Sequence, residues 1–289
     1  MKKKKIAFII LHYKNIKDTI ECVESINKLN QSEEASIIIV DNNSLDKSQI
    51  KSLKKHTDDL ILLDENRGYA KGNNAGCRYA IEKYEPDFLC VINNDIIITQ
   101  KDFIEEISMC YKKTGFDFMG PKIITDKGES VNPFPVYNTL LEVKKRIKYH
   151  EKLLRIYRSK FLRNILNAYI YMKRIFKKPL HLENGKSSQY DVAIHGCAII
   201  FSKKYYKKYQ DVFYDKTFLY HEEEFLNYRK NKDHLITYYD SNLEVFHKEG
   251  SSLNEKFKNQ DYQKLIFRNK EILKSLYILK SVMESEEKI

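Results

Sequence analysis

The chain has 289 residues, 42% of them hydrophobic, and a formal net charge of +11, enough to bury a sizeable core as one large domain or two smaller ones. Five scattered cysteines without a CxxC pair argue against a disulfide framework or a zinc site and for a reducing compartment. The apolar run behind the basic N-terminus, Ile6 to Leu11, is too short for a signal peptide, and no stretch approaches the ~18 residues that span a bilayer, so the expectation is a cytoplasmic protein, soluble or peripheral on the inner face of the plasma membrane.

Strand-like and helix-like patterns alternate over the first hundred residues. Lys5–Leu11 reads as a buried strand. Lys17–Leu29 carries Ile20, Val23, Ile26 and Leu29 as a helical stripe. Ser36–Val40 predicts a second strand, Leu45–Lys54 a short helix, Leu60–Leu63 a third strand, Tyr69–Tyr84 another helix and Phe88–Ile92 a fourth strand. Short continuous apolar strands between helices indicate a mainly parallel, Rossmann-like α/β sheet with helices on both faces. The pattern loosens after Gly120 and Pro121, and 122–135 reads as irregular or edge structure. Val136–Lys178 reads as a long basic amphipathic helix ended by Pro179, with Leu140, Ile147, Leu154, Phe161, Ile165, Tyr169 and Met172 near one face. Asp191–Ser202 returns to strand and Glu222–Lys230 to helix; Leu235–Tyr239 and Leu243–His247 are strand-like, and Asn259 to about Met283 is a terminal helix.

In a parallel sheet four strand ends converge on one edge, where open α/β folds bind ligands. Here they offer His12 with Tyr13; Asp41, Asn42, Asn43 and Ser44; Asn66, Arg67, Gly68 and Tyr69; and Asn93, Asn94 and Asp95. A nucleotide needs such a set: amides and an aromatic face for the base, a carboxylate for the ribose, a cation and backbone N–H groups for the diphosphate. The plainer reading is that these residues cap the helices that follow. Asp95, alone at a strand end, is suited to hold Mg²⁺ or Mn²⁺ against a diphosphate. Gly68, Gly72 and Gly76 are not a dinucleotide fingerprint or a P-loop, and close packing on the sheet is the natural role of Gly76. Arg67 and Asn73 stand where a loop and helix N-terminus can face phosphate.

Glu222, Glu223 and Glu224 open a helix between bulky neighbours, Phe218 to Tyr220 and Phe225. Acids there favour the helix dipole. Successive helical residues diverge by ~100°, so one or two can face a substrate, one of them as a base. His247, at a strand end before a Gly-Ser loop, is either structural or a partner for a cation at Asp95.

The order of these pieces resembles the inverting family-2 glycosyltransferases of the GT-A fold, with rhamnosyltransferase-like enzymes of bacterial surface polysaccharides the most similar. The likeness rests on residues 9–13, 40–44, 66–76, 92–95, 195–197, 220–223, 247–251 and on Arg268 and Asn269. It implies Asp41 as a nucleotide-binding acid and Asp95, behind Asn93 and Asn94, as the metal ligand of a DxD-type motif. It further implies His247 as a second holder of the cation, and His195, Gly196 and Tyr220 on the acceptor side. The family's acidic pair corresponds to Glu222 and Glu223, with Glu223 the expected base and Glu222 the alternative. The expected reaction moves a sugar from a UDP- or dTDP-sugar to a hydroxyl of a growing capsule, O-antigen or similar glycan, with Mn²⁺ or Mg²⁺. Competing readings are a nucleotidyltransferase, for which no basic Gly-rich phosphate loop is found, and a non-catalytic basic membrane adaptor.

Residues 136–178 hold thirteen Lys/Arg and two acids, which accounts for the whole formal charge excess. The segment is expected to lie on an anionic membrane carrying a polyprenyl-diphosphate-linked acceptor, to pack or serve as a homodimer arm, or to be a solvated helix. No nucleic-acid motif accompanies the charge. The expected organisation is a nucleotide-sugar half over 1–120, an acceptor half over 121–258 with the insert at about 136–180, and a C-terminal helix over 259–289.

Overall fold

The computed structural model describes residues 3–57, 59–126, 128, 130–164, 187–209, 211–248, 261–287 and 289. The expected helix over 165–178, its end at Pro179, the Gly-Ser loop at 250–252 and the start of the terminal helix at Asn259 lie outside them.

Nine strands form one mixed sheet. They are β1 (Ile6–His12), β2 (Ala35–Asp41), β3 (Asp59–Leu62), β4 (Phe88–Asn93), β5 (Ile96–Ile97), β6 (Phe118–Thr125), β7 (Gln189–Tyr190), β8 (Ala198–Ser202) and β9 (Thr237–His247). Their order is β3-β2-β1-β4-β8-β6-β9-β5, with β7 also on β9. The β3-β2-β1-β4 half is parallel, β8 runs against both its neighbours, and β6 and β9 are parallel to each other. The α-helices with both ends described are α1 (Ile16–Asn27), α2 (Lys47–Leu53), α3 (Gly68–Tyr84), α4 (Phe103–Thr114), α5 (Leu140–Arg158), α6 (Lys203–Lys208), α7 (Glu222–Asp233) and α8 (Asp261–Ser285).

The period-2 alternation of β1 explains the layering. Ile6, Phe8 and Ile10 join the core under α1 and α4, whereas Ala7 and Ile9 join the core under α3 and α6. Gly76 lets α3 close on the sheet, since a Cβ there would come within 2.7 Å of Ile9 and 2.8 Å of Val40 side-chain carbons. A third core, with Val143, Ile147, Phe225, Leu276 and Leu279, joins α5 and α8 over α7.

The structure corrects the reading of the middle of the chain. Gly120 and Pro121 do not break the sheet: they lie inside β6, between β8 and β9. Pro121 has no N–H for a ladder, and the pairing with β9 shifts register between Pro121 and Lys122. The same irregularity runs the two strand-like segments after Leu235 into one long β9. The strand expected over Asp191–Ser202 is pleated only from Ala198, which frees His195, Gly196 and Cys197 to line a cleft. The insert helix breaks at Ser159, with ψ near 118°, and is helical again at 160–164. Ile147 and Leu154 reach the third core, but Phe161, past the break, is 73% exposed.

Candidate active site

The strands β1, β2 and β4 end in register: His12 lies opposite Asp41, and Leu11 opposite Asn93. Their loops therefore share one edge of the sheet. Asp41 is buried, and its carboxylate accepts hydrogen bonds from Ser44 N (3.1 Å), Ser44 Oγ (2.8 Å) and Leu45 N (3.2 Å). Asn43 is exposed in the left-handed region, φ 58°. Tyr13 is half-buried, with the Lys14 ammonium 5.5 Å from its ring. His12 differs from expectation. It is wholly buried, its Nδ1 lies 2.6 Å from Thr19 Oγ1 on α1, and burial pushes its pKa down to about 4 against the pull of Asp41. A neutral scaffold histidine results, because the parity of β1 turns position 12 to the same side as Ile10. Asn94 is likewise turned inward, its amide donating to Thr19 Oγ1 (3.0 Å) and Asn15 O (3.3 Å).

The β3–α3 loop is pinned from both sides. Asn42, whose role was not foreseen, donates to Gly68 O (3.0 Å) and accepts from Arg67 N (2.8 Å). Asn66 Oδ1 accepts from Gly68 N at 3.0 Å, and the Arg67 guanidinium binds Asp64. Gly68 has φ 80°, and a Cβ there would stand 2.1 Å from Phe218 O. Tyr69 N donates to that same oxygen at 2.8 Å. Asn73 is buried; its amide donates to Tyr69 O, and its Oδ1 has no partner.

Asp95 and His247 do come together. Asp95 Oδ1 lies 3.2 Å from His247 Nε2 without the alignment of a hydrogen bond, and it is a buried atom with no other partner. The pairing of β5 with β9, Ile96 opposite His247, makes this meeting. His195 stands beside them, ring centroids 6.4 Å from His247 and 4.8 Å from Phe134. Its Nδ1 accepts from Cys197 N at 3.1 Å, and burial lowers its pKa, so the neutral ring keeps its proton on Nε2.

From His195 the backbone leads to the acids. Gly196 N donates to Glu223 Oε1 at 2.8 Å, and Gly196 O accepts from the Tyr69 hydroxyl. Tyr220 and His221 both have positive φ, 71° and 70°. Such consecutive left-handed residues cost on the order of 1–3 kcal/mol each, and the turn they form starts α7 so that its acids enter the cleft. Glu222 is buried there with one oxygen unpartnered; burial first, then the neighbouring Glu223 charge, pushes its pKa up to about 8. Burial therefore favours the neutral form of Glu222.

His195, Gly196, Tyr220, Glu222 and Glu223 line a cleft of about 550 Å³, together with Tyr69, Asn93, Arg146, His150 and Arg268; Asp41, Asp95 and His247 are not part of its walls. Arg146 and His150 were not foreseen as site residues, and Arg268 entered only through the family likeness, without a role. The basic insert read as surface charge, and only the packing of α5 on α8 turns Arg146 and His150 inward.

Residues 7–181 match the family described as Glycosyl transferase family 2. The chain belongs to that family. It is 30% identical over 132 residues to a protein of Haloferax volcanii named low-salt glycan biosynthesis hexosyltransferase Agl10, a stretch covering 45% of this chain and 40% of the relative. Its fold is similar to that of S. aureus TarS 1–349, solved alone and in complex with UDP, with a TM-score of 0.51 and 15% identity over 92% of this chain. The chain covers 65% of the TarS chain, so it spans less than two thirds of either relative. As a family-2 chain with a TarS-like α/β sheet it bears out the expected GT-A architecture.

Proposed function

We propose that this family member is an inverting glycosyltransferase of glycan biosynthesis, with a UDP- or dTDP-sugar as donor and a hydroxyl of a growing cell-surface glycan as acceptor. The Asp95–His247 pair beside His195, and Glu223 held by Gly196 in the cleft that His195 also lines, carry this reading. The relatives agree with it: one is named a hexosyltransferase of glycan biosynthesis, the other was solved with UDP.

The residues present fit a divalent cation. Asp95 Oδ1 is a buried oxygen without a hydrogen bond, and beside it stands an imidazole nitrogen 3.2 Å away. Mn²⁺ and Mg²⁺ take such O and N donors. Among the described residues no cluster of three or more His, Cys, Asp or Glu could hold a metal. Two protein ligands are enough when the donor's phosphates and water supply the rest. Bound there, Mn²⁺ or Mg²⁺ would neutralise charge on the diphosphate.

Glu223 takes the proton of the attacking hydroxyl, a contribution of roughly 10²–10⁴-fold. The Gly196 N–H fixes one of its oxygens and leaves the other for the acceptor. Glu222, neutral and buried, can donate a hydrogen bond without adding charge beside the base. Asp41, Asn43, Asn66, Arg67, Gly68 and Asn73, with Tyr13, are assigned to the donor end. His195, Gly196 and Tyr220 face the acceptor.

The outer face of α5 carries Leu141 (62% exposed) and Tyr149 (49% exposed) among lysines, which suits contact with an anionic membrane bearing a polyprenyl-linked acceptor. Among the described residues no helix is long and apolar enough to cross a membrane.

A thermal-shift screen of UDP-, dTDP- and GDP-sugars with and without Mn²⁺ tests the proposal. A UDP- or dTDP-sugar should raise the melting temperature, more so with Mn²⁺. No stabilisation by any of them would overturn it.

A further inference from the structure

The side of the cleft formed by α5 and α8 has a chemistry that hydroxyl recognition does not need. Arg146 on α5 and Arg268 on α8 both line it. Among the described residues neither guanidinium forms an ion pair, although Glu222, Glu223 and Glu224 line the same cleft. The Arg146 guanidinium carbon lies 5.5 and 4.9 Å from the ring centroids of Tyr137 and Tyr149, and its Nε is buried without a partner. Arg268 lies 5.8 Å from the Tyr220 ring.

His150 lies near both. It is only 5% exposed, and Arg146, His221 and Arg268 all lie close enough to disfavour its charge. Its Nδ1 lies 2.7 Å from Asn269 Oδ1. The Asn269 amide nitrogen is already given to Leu265 O, so Nδ1 is the donor. Nε2 is left buried and unpartnered at the cleft wall, and the Tyr220 hydroxyl is buried and unpartnered in the same wall. Leaving such groups unsatisfied costs about 1–3 kcal/mol each, and one incoming group can satisfy several of them. The two guanidiniums and the Tyr220 hydroxyl are donors that match the oxygens of a phosphoryl group, which accepts several charge-assisted hydrogen bonds at once, whereas His150 Nε2, without a proton, accepts from a hydroxyl of the same ligand.

We propose that Arg146, Arg268 and Tyr220 form a phosphoryl-binding subsite for the acceptor, with His150 Nε2 accepting from a neighbouring sugar hydroxyl, so that the acceptor carries a phosphate beside the glycan it extends. The proposal deepens the transferase reading and rests on it for the word acceptor, but not for the binding itself. The cleft is then bipolar: carboxylates at the Gly196 end meet the hydroxyl, and cations at the α5–α8 end meet the phosphate. That phosphate is either part of a soluble glycosyl phosphate or the head of a lipid carrier.

The test is isothermal titration of the full chain, preloaded with saturating UDP and Mn²⁺ so that the donor's phosphate positions are filled. Glucose 1-phosphate is the soluble probe, and glucose its uncharged control. Neutral phosphatidylcholine vesicles, with and without a polyprenyl-diphosphate-linked sugar, are the lipid probe. At least one phosphorylated probe should bind, glucose and plain vesicles should not, and binding should weaken about tenfold or more in Arg146→Gln and in Arg268→Gln. UDP affinity should be unchanged in both. Arg268→Lys, which keeps the charge, should recover part of the loss, and thermal melts compare the folding of each variant. Binding of glucose 1-phosphate identifies a soluble phosphorylated acceptor; binding only of the lipid-bearing vesicles identifies a carrier headgroup. Failure of both probes, or equal binding by wild type and both Gln variants, overturns the subsite. If UDP itself fails to bind, the donor reading falls, and the same titrations without UDP still decide this one.

Discussion

Glu223 Oε1 accepts a 2.8 Å hydrogen bond from the backbone nitrogen of Gly196. This contact ties the first turn of α7 to the loop before β8, and on its other side Gly196 is held by the Tyr69 hydroxyl from α3. The carboxylate is therefore oriented by three elements before any substrate arrives. Preorganisation of that kind is what a general base needs, because a small displacement of the base is costly in rate.

Glu223→Gln retains the size and the accepting oxygen but cannot take a proton. Turnover should fall by about 10²–10⁴-fold, while UDP affinity stays within about twofold of wild type. Steady-state kinetics beside a UDP titration checks this. Wild-type turnover in the variant would move the base elsewhere, first to Glu222.

Glu222 predicts a pH dependence of stability. Its folded pKa is raised from 4.5 to about 8, chiefly by burial. The folded state then holds the proton more tightly than the unfolded chain. The stabilisation is full below about pH 4.5 and is lost as pH rises towards and through 8. Glu222→Gln removes the titration while keeping a neutral side chain. Its melting temperature should exceed that of wild type by several degrees at pH 8.5 and differ little at pH 5. Parallel melting curves at both values would show that this carboxyl is not titrating as its surroundings dictate.

Asp95→Asn keeps the shape of the side chain and removes its charge. If Asp95 and His247 hold the cation, UDP affinity in Mn²⁺ should drop about tenfold or more, the scale on which metal sites respond to altered ligands. Affinity in EDTA should be the same in variant and wild type. Equal binding by both proteins in Mn²⁺ would remove Asp95 from the metal site.

Gly68→Ala tests the seat of the donor loop. The substitution forces a Cβ to 2.1 Å from Phe218 O at a residue with φ 80°. Destabilisation on the order of 1–3 kcal/mol is expected, together with weakened UDP binding, because Asn42, Arg67 and Tyr69 are anchored through the same turn. Unchanged melting and binding would mean that this loop relaxes freely.

For the basic insert, replacing Lys144, Lys145 and Lys148 with Glu should abolish co-sedimentation with vesicles containing anionic lipid, at ~1 kcal/mol per basic residue lost. Binding of UDP should remain as in wild type. Retention of the triple variant on the vesicles would leave the packing of α5 on α8 as the segment's role.

Much of this fold was legible because its signals are local. The apolar run of β1 and the helical stripe of α1 each express a backbone period, and a parallel sheet follows from their alternation. Strand-end acids and amides could therefore be located without coordinates, and so could the pairing of Asp95 with His247 through family likeness. The direction of each side chain at those ends was a different matter. His12 and Asn94 carry suitable chemistry but turn to α1, whereas Asn42, one residue from the expected Asn43, ties the loops together.

The middle of the chain was least legible, since Gly120 and Pro121 look like a break and become part of a central strand only because β9 shifts register beside them. Arg146 and His150 belonged, in the sequence, to a run of positive charge. Composition and periodicity alone determined the parallel half of the sheet, the edge where its strands end and the residue types offered there. Which of those residues share the cleft was decided by tertiary packing: α5 on α8, the left-handed turn at Tyr220 and His221, and the hydrogen bond from Gly196 to Glu223. Backbone periods are set by near neighbours, whereas these meetings join distant segments and depend on burial that no local pattern encodes.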